Sequence, residues 1–141
     1  MQVLDSLGTQ AIVVADSYVV FEAEYGRNPI DGDVADWRTT FAFDLGDSTE
    51  ATQPTLVEGV SDLSSRLIGS CQDHVVFLDH DYCFCTWDLR VGAASLKRHF
   101  YLPKDWLSSG TLDFCVVNDQ GIIVCVREDG EVAVIRQGIK L

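Results

Sequence analysis

The chain has 141 residues, 47% of them hydrophobic and 23% charged, with a formal net charge of −12. That length is enough to bury a core, and the composition belongs to a globular chain rather than a disordered one. The negative balance argues against binding nucleic acid or an anionic membrane surface, since both need a basic face.

Residues 1–65 carry 12 acidic and 2 basic side chains, and residues 66–141 carry 10 and 8. A solvated acidic face accounts for this imbalance, and a basic partner is the functional alternative. No basic segment followed by an apolar run opens the chain, and no apolar stretch approaches the ~18 residues of a membrane span. The five cysteines sit mostly inside apolar runs, and no Asn-x-Ser/Thr acceptor occurs. The expected compartment is therefore the reducing cytoplasm.

In chain order, Ala11–Ala15 is a short apolar run of the buried-strand kind, and Tyr18–Glu24 continues in β-favouring residues after an Asp16-Ser17 turn. Residues 26–36 form a loop. Arg38–Leu45 alternates Thr39, Phe41, Phe43 and Leu45 on one face, the pattern of a half-buried strand. Residues 46–54 read as a polar linker, and Thr55–Val60 as a short edge strand. Ser61 carries a helix-start signal, but Ser61–Arg66 is too short for a substantial helix.

Next come three strands separated by polar turns: Leu67–Cys71, His74–Leu78 and Tyr82–Leu89. In the third, Tyr82, Phe84 and Thr86 share one face, and Cys83, Cys85 and Trp87 share the other. A fourth strand, Lys97–Leu102, stops at Pro103. The pattern then recurs in Leu112–Val117, Ile122–Val126 and Glu131–Arg136. Long amphipathic helices are absent, so the expected class is all-β.

Phe43-Asp44-Leu45 and Trp87-Asp88-Leu89 lie 44 residues apart, each closing a strand. Repeats of about 40–45 residues with four short strands and an aromatic-Asp pair are the signature of propeller blades. The expectation is a single domain over 1–141, a partial β-propeller of about three WD-like blades of four-stranded antiparallel sheets. The blade units fall near 10–60, 66–102 and 111–141. Closed propellers need about 4–8 blades. The expected partner is thus a protein, either the remaining blades of a larger protein or another copy.

Candidate sites are few. Cys83 and Cys85, with His80 just before them, suggest a metal. Zinc sites use C-x₂₋₄-C turns and a second ligand pair, however, while a C-x-C on a strand packs as two small hydrophobes. Asp31, Asp33 and Asp36, in the 31–36 acidic loop, miss the calcium-loop spacing and its closing Glu. His74, His80 and His99 have no G-x-S-x-G elbow to serve. The expectation is therefore no catalytic residue, no cofactor and no metal. Trp106 follows Pro103 in a loop beside Lys104 and Asp105. These three and His80 are the candidate interaction residues, with local packing as the alternative for Trp106. The alternative function is a small metal- or ligand-binding β domain using loop 31–36 or the His80/Cys83/Cys85 cluster.

The strings VFLDHDYCFCTWDL (76–89), KRHFYLPKDWLSS (97–109) and GEVAVIRQGIK (130–140) carry a further signal. With them the segment from His74 through Lys140 resembles the C-terminal region of fungal NACHT and WD-repeat proteins, which are NOD-like receptors. Cys83 stands where that family usually has an aromatic residue. The resemblance implies a non-enzymatic sensor or interaction surface. It does not imply nucleotide hydrolysis, because no G-x-x-x-x-G-K-[ST] loop occurs here.

Overall fold

In the computed structural model, which describes residues 8–15, 17–25, 37–45, 55–107 and 112–141, three antiparallel sheets succeed one another along the chain. The first holds β1 (Gly8–Ala15), β2 (Tyr18–Tyr25), β3 (Trp37–Asp44) and β4 (Thr55–Leu56) in sequential order. The second holds β5 (Ser64–Cys71), β6 (His74–Asp79), β7 (Cys83–Trp87) and β8 (Lys97–Tyr101). The third holds β9 (Leu112–Val117), β10 (Ile123–Arg127) and β11 (Val132–Ile135). The chain is mostly β, and among the described residues the sheets do not close into a ring.

The second sheet is the middle layer. Every residue of β7, and all but the first of β6, is buried. Alternation sends the two sets of side chains to opposite faces. Val75, Phe77, Cys83, Cys85 and Trp87 pack with Val13, Ala15, Val20 and Ala42 of the first sheet. Val76, Leu78 and Phe84 pack with Cys115, Ile123 and Cys125 of the third. Burying a Phe or Leu side chain stabilises by about 1.5–3 kcal/mol, so these two interfaces carry most of the driving force. This double burial is why HVVFLD reads as a near-continuous apolar run rather than an alternating one.

Three tight turns share one geometry. Tyr82 N–H donates to Asp79 O, Gly121 N–H to Asn118 O and Gly130 N–H to Arg127 O. The last residue of each turn has positive φ: 62° at Tyr82, 75° at Gly121 and 87° at Gly130. Glycine adopts this conformation freely, whereas Tyr82 is strained in it. The Gln72-Asp73 turn has two successive positive φ values, 46° and 64°, the signature of a two-residue hairpin.

Several strand limits differ from the sequence reading. Only Thr55 and Leu56 of the expected 55–60 strand pair with β3. From Glu58 to Leu63 the chain forms a helical turn, α1, that starts before Ser61. Ser61 N–H donates to Val57 O, and the Gly59 backbone lies against the Trp87 ring, where a Cβ would come within 2.3 Å. Tyr82 belongs to the turn rather than to β7, because of its left-handed φ. Residues 103–107, expected as loop, contain the short helix α2 (Lys104–Leu107).

Candidate functional site

The polar centre of the middle sheet is Asp79, at the end of β6, which is 4% exposed. Its Oδ1 accepts the Asp81 N–H at 2.9 Å and the Cys83 N–H at 2.8 Å, closing the β6–β7 turn. Oδ2 accepts Arg98 Nε of β8 at 3.5 Å, an ion pair that neutralises the buried carboxylate. Asn118 does the same at the β9–β10 turn, where Oδ1 accepts the Gln120 and Ile122 N–H groups, each at 3.0 Å. The two side chains therefore play one role in neighbouring sheets: they satisfy turn amides that no strand partner reaches.

Cys83 and Cys85 lie beside Asp79, and the ligand atoms of the three are all within 4.8 Å of one another. His80, the expected third member of this cluster, is exposed at the turn, and Asp79 takes its place. Burial first, then the Cys83 and Asp79 charges, push the Cys85 thiol up to about 12. Burial and Asp79 raise Cys83 in the same direction. Metal binding needs thiolates and a free carboxylate oxygen. A metal here would have to displace the thiol protons and compete with the turn amides and Arg98 for Asp79.

His99 of β8 sits between the middle sheet and the C-terminal segment. Lys140 N–H donates to Nδ1 at 3.3 Å, so the proton of the neutral ring lies on Nε2, which donates to Thr86 Oγ1 at 2.9 Å. Burial, then the charges of Lys97 and His74, hold His99 below its ordinary value. These contacts make His99 a structural pin.

Trp106 is half-buried and packs on the interface between the second and third sheets. The Arg127 guanidinium stacks over its ring at 5.1 Å and donates to the Trp106 carbonyl oxygen. Arg127 is itself 6% exposed and pairs with Asp129, at 2.6 Å, and with Glu131. Lys104 and Asp105 flank this stack and are exposed. The four candidate interaction residues thus occupy two places: His80 at the β6–β7 turn, and Lys104, Asp105 and Trp106 on α2. Loop 31–36 lies outside the described residues.

Sequence reasoning did not single out one exposed apolar face. The outer face of the third sheet carries two cross-strand rows, Val116–Val124–Val134 and Phe114–Val126–Val132. Phe114, Val132 and Val134 are each 50% exposed or more. Alternation along each strand puts these residues on one face, and their exposure is what the sequence pattern does not show. An open cleft of about 450 Å³ between the first two sheets is lined by Tyr18, Leu56, Trp87 and Leu89, with Asp44 and Glu58 at hand.

Searches against protein-family models and curated proteins found no match to this chain. Among the described residues no helix is long and apolar enough to cross a membrane.

Proposed function

We propose that the chain is a non-enzymatic protein-interaction module of the WD-like propeller type, whose outer third-sheet face packs against an apolar β-sheet of a protein partner. The exposure of Phe114, Val116, Val132 and Val134 carries this reading. The inner face of the same sheet is built from similar residues and is buried on the middle sheet. A face of the same chemistry is suited to the same kind of neighbour, and contiguous exposed apolar patches of this sort mark interaction surfaces. The 44-residue recurrence of an aromatic-Asp pair supports the blade reading, since Asp44 ends the third strand of the first sheet and Asp88 follows that of the second. Among the described residues a metal-binding function would draw on Asp79, Cys83 and Cys85, where a metal would have to displace the thiol protons and the hydrogen bonds of Asp79.

The test compares the wild type with a Val132→Lys/Val134→Lys variant in binding a hydrophobic fluorescent dye. The wild type should enhance dye emission, and the folded variant should lose most of that enhancement. Equal, low emission from both would contradict the proposal.

A further inference from the structure

Cys115 of β9 and Cys125 of β10 are register partners on the inner face of the third sheet, with sulfurs 3.0 Å apart. The hairpin between them is closed by the Asn118 N–H donating to Ile122 O. Hydrogen-bonded and non-hydrogen-bonded pairs alternate along an antiparallel ladder. Counting back from 118–122, the 116–124 pair is hydrogen-bonded and 115–125 is not. Non-hydrogen-bonded pairs bring their Cα atoms to roughly 4.5 Å, inside the range a disulfide spans.

We propose that Cys115 and Cys125 form a reversible disulfide when the chain meets hydrogen peroxide, a redox-dependent cross-link between β9 and β10. Cys125 is 0% exposed and Cys115 is 7% exposed, so peroxide reaches the pair through local opening of the sheet, and larger oxidants are disfavoured. A hydrogen bond joins the two sulfurs, in which either thiol can be the donor; with Cys115 donating, Cys125 is the more readily ionised of the two. The Arg66 charge favours the thiolate at both. Arg66 is held there by donating to the Leu112 and Asp113 carbonyl oxygens at 3.0 and 2.7 Å.

In the first step the Cys125 thiolate attacks one peroxide oxygen. The O–O bond breaks, the departing hydroxide becomes water with the proton that Cys125 released on ionising, and a sulfenic acid remains on Cys125. In the second step the Cys115 sulfur attacks the sulfenic sulfur, and the oxygen leaves as a second water carrying the Cys115 proton. Two electrons pass from the sulfurs to the peroxide, and a thiol reductant reverses the change. The Cys83–Cys85 pair differs, being two positions along one strand with both thiols held protonated by burial.

The experiment treats the full chain with hydrogen peroxide, alkylates free thiols, and maps the peptides by mass spectrometry without reductant. The expected result is a Cys115–Cys125 linked peptide, a fall from the five thiols of the sequence by two, and a melting temperature several degrees higher. Dithiothreitol should restore the starting values. The proposal is overturned if both residues are recovered as free thiols or sulfinic acids from a chain still folded by circular dichroism. A disulfide formed only between chains, or only by another cysteine pair, also overturns it.

Discussion

The Glu22 carboxylate of β2 accepts the Leu67 backbone N–H of β5 at 2.9 Å, so a buried acid ties the first sheet to the second. Ser64 Oγ donates to the same oxygen at 3.4 Å. The ladder between β5 and β6 is irregular between Ser64 and Arg66 and again between Leu67 and Gly69. Such irregularities leave amides in need of another acceptor. Replacing Glu22 with Ala should leave a buried donor unmatched and cost about 1–3 kcal/mol. Glu22→Gln keeps an acceptor and should cost less. Urea unfolding midpoints rank the three proteins, and equal midpoints would rule out the bridge.

The parallel between Asp79 and Asn118 yields a second expectation. Asn118 shows that an amide oxygen suffices to hold such a turn. Asp79→Asn should therefore be mild, losing chiefly the ion pair to the half-exposed Arg98. Asp79→Ala removes the acceptor for two amides, one of them buried, and should cost about 2–3 kcal/mol. Thermal melts of the two variants distinguish this turn-closing role from a purely electrostatic one, which would make them equally harmful.

Much of the architecture was legible because alternation and turn residues are local signals. The strands from Leu67 to Leu102 and from Leu112 to Arg136 were expected close to where they lie. The 55–60 stretch was not: it turns into α1, with Gly59 against Trp87, a contact distant in sequence that no local pattern announces. Tyr82 was placed in a strand because nothing marks a tyrosine as left-handed. Asp79 was read only as a turn residue, yet its spacing to Asp81 and Cys83 matches that of Asn118 to Gln120 and Ile122, and this was the available signal. Trp106 looked like a loop residue because its partner, Arg127, lies 21 positions away.

Gly121 tests the turn geometry by substitution. Its φ is +75°, and a Cβ there would lie 2.5 Å from the Ile139 carbonyl oxygen. Gly121 O also accepts the Gly138 N–H at 3.2 Å, so the C-terminal segment depends on this position. Gly121→Ala combines left-handed strain with a backbone clash and should cost about 2–3 kcal/mol. Gly130→Ala meets open space and should show only the strain of its φ, a smaller loss. Calorimetric melting of the pair gives the order, and a reversed order would contradict the packing described.

His99 gives the pH dependence its sign. Its folded value is lowered by burial, so the unfolded chain binds the extra proton more readily. Stability from this group is fully present above the unfolded value near 6.5 and declines as pH falls toward the folded value. Protonating the ring would also place a donor against the Lys140 N–H. The melting temperature should fall between pH 7 and pH 5.5, and the fall should shrink in His99→Gln. An unchanged slope in that variant would assign the pH dependence to other groups.

The interaction reading stands or falls on what the outer third-sheet face does in solution. The direct measurement is the mass of the purified chain by light scattering over a concentration series, for the wild type and for Val132→Lys/Val134→Lys. The account predicts that the wild type associates as concentration rises, because Phe114, Val116, Val132 and Val134 find cover in another molecule, and that the variant stays monomeric with the same circular dichroism. A wild-type chain that melts cooperatively and remains a monomer throughout would contradict it.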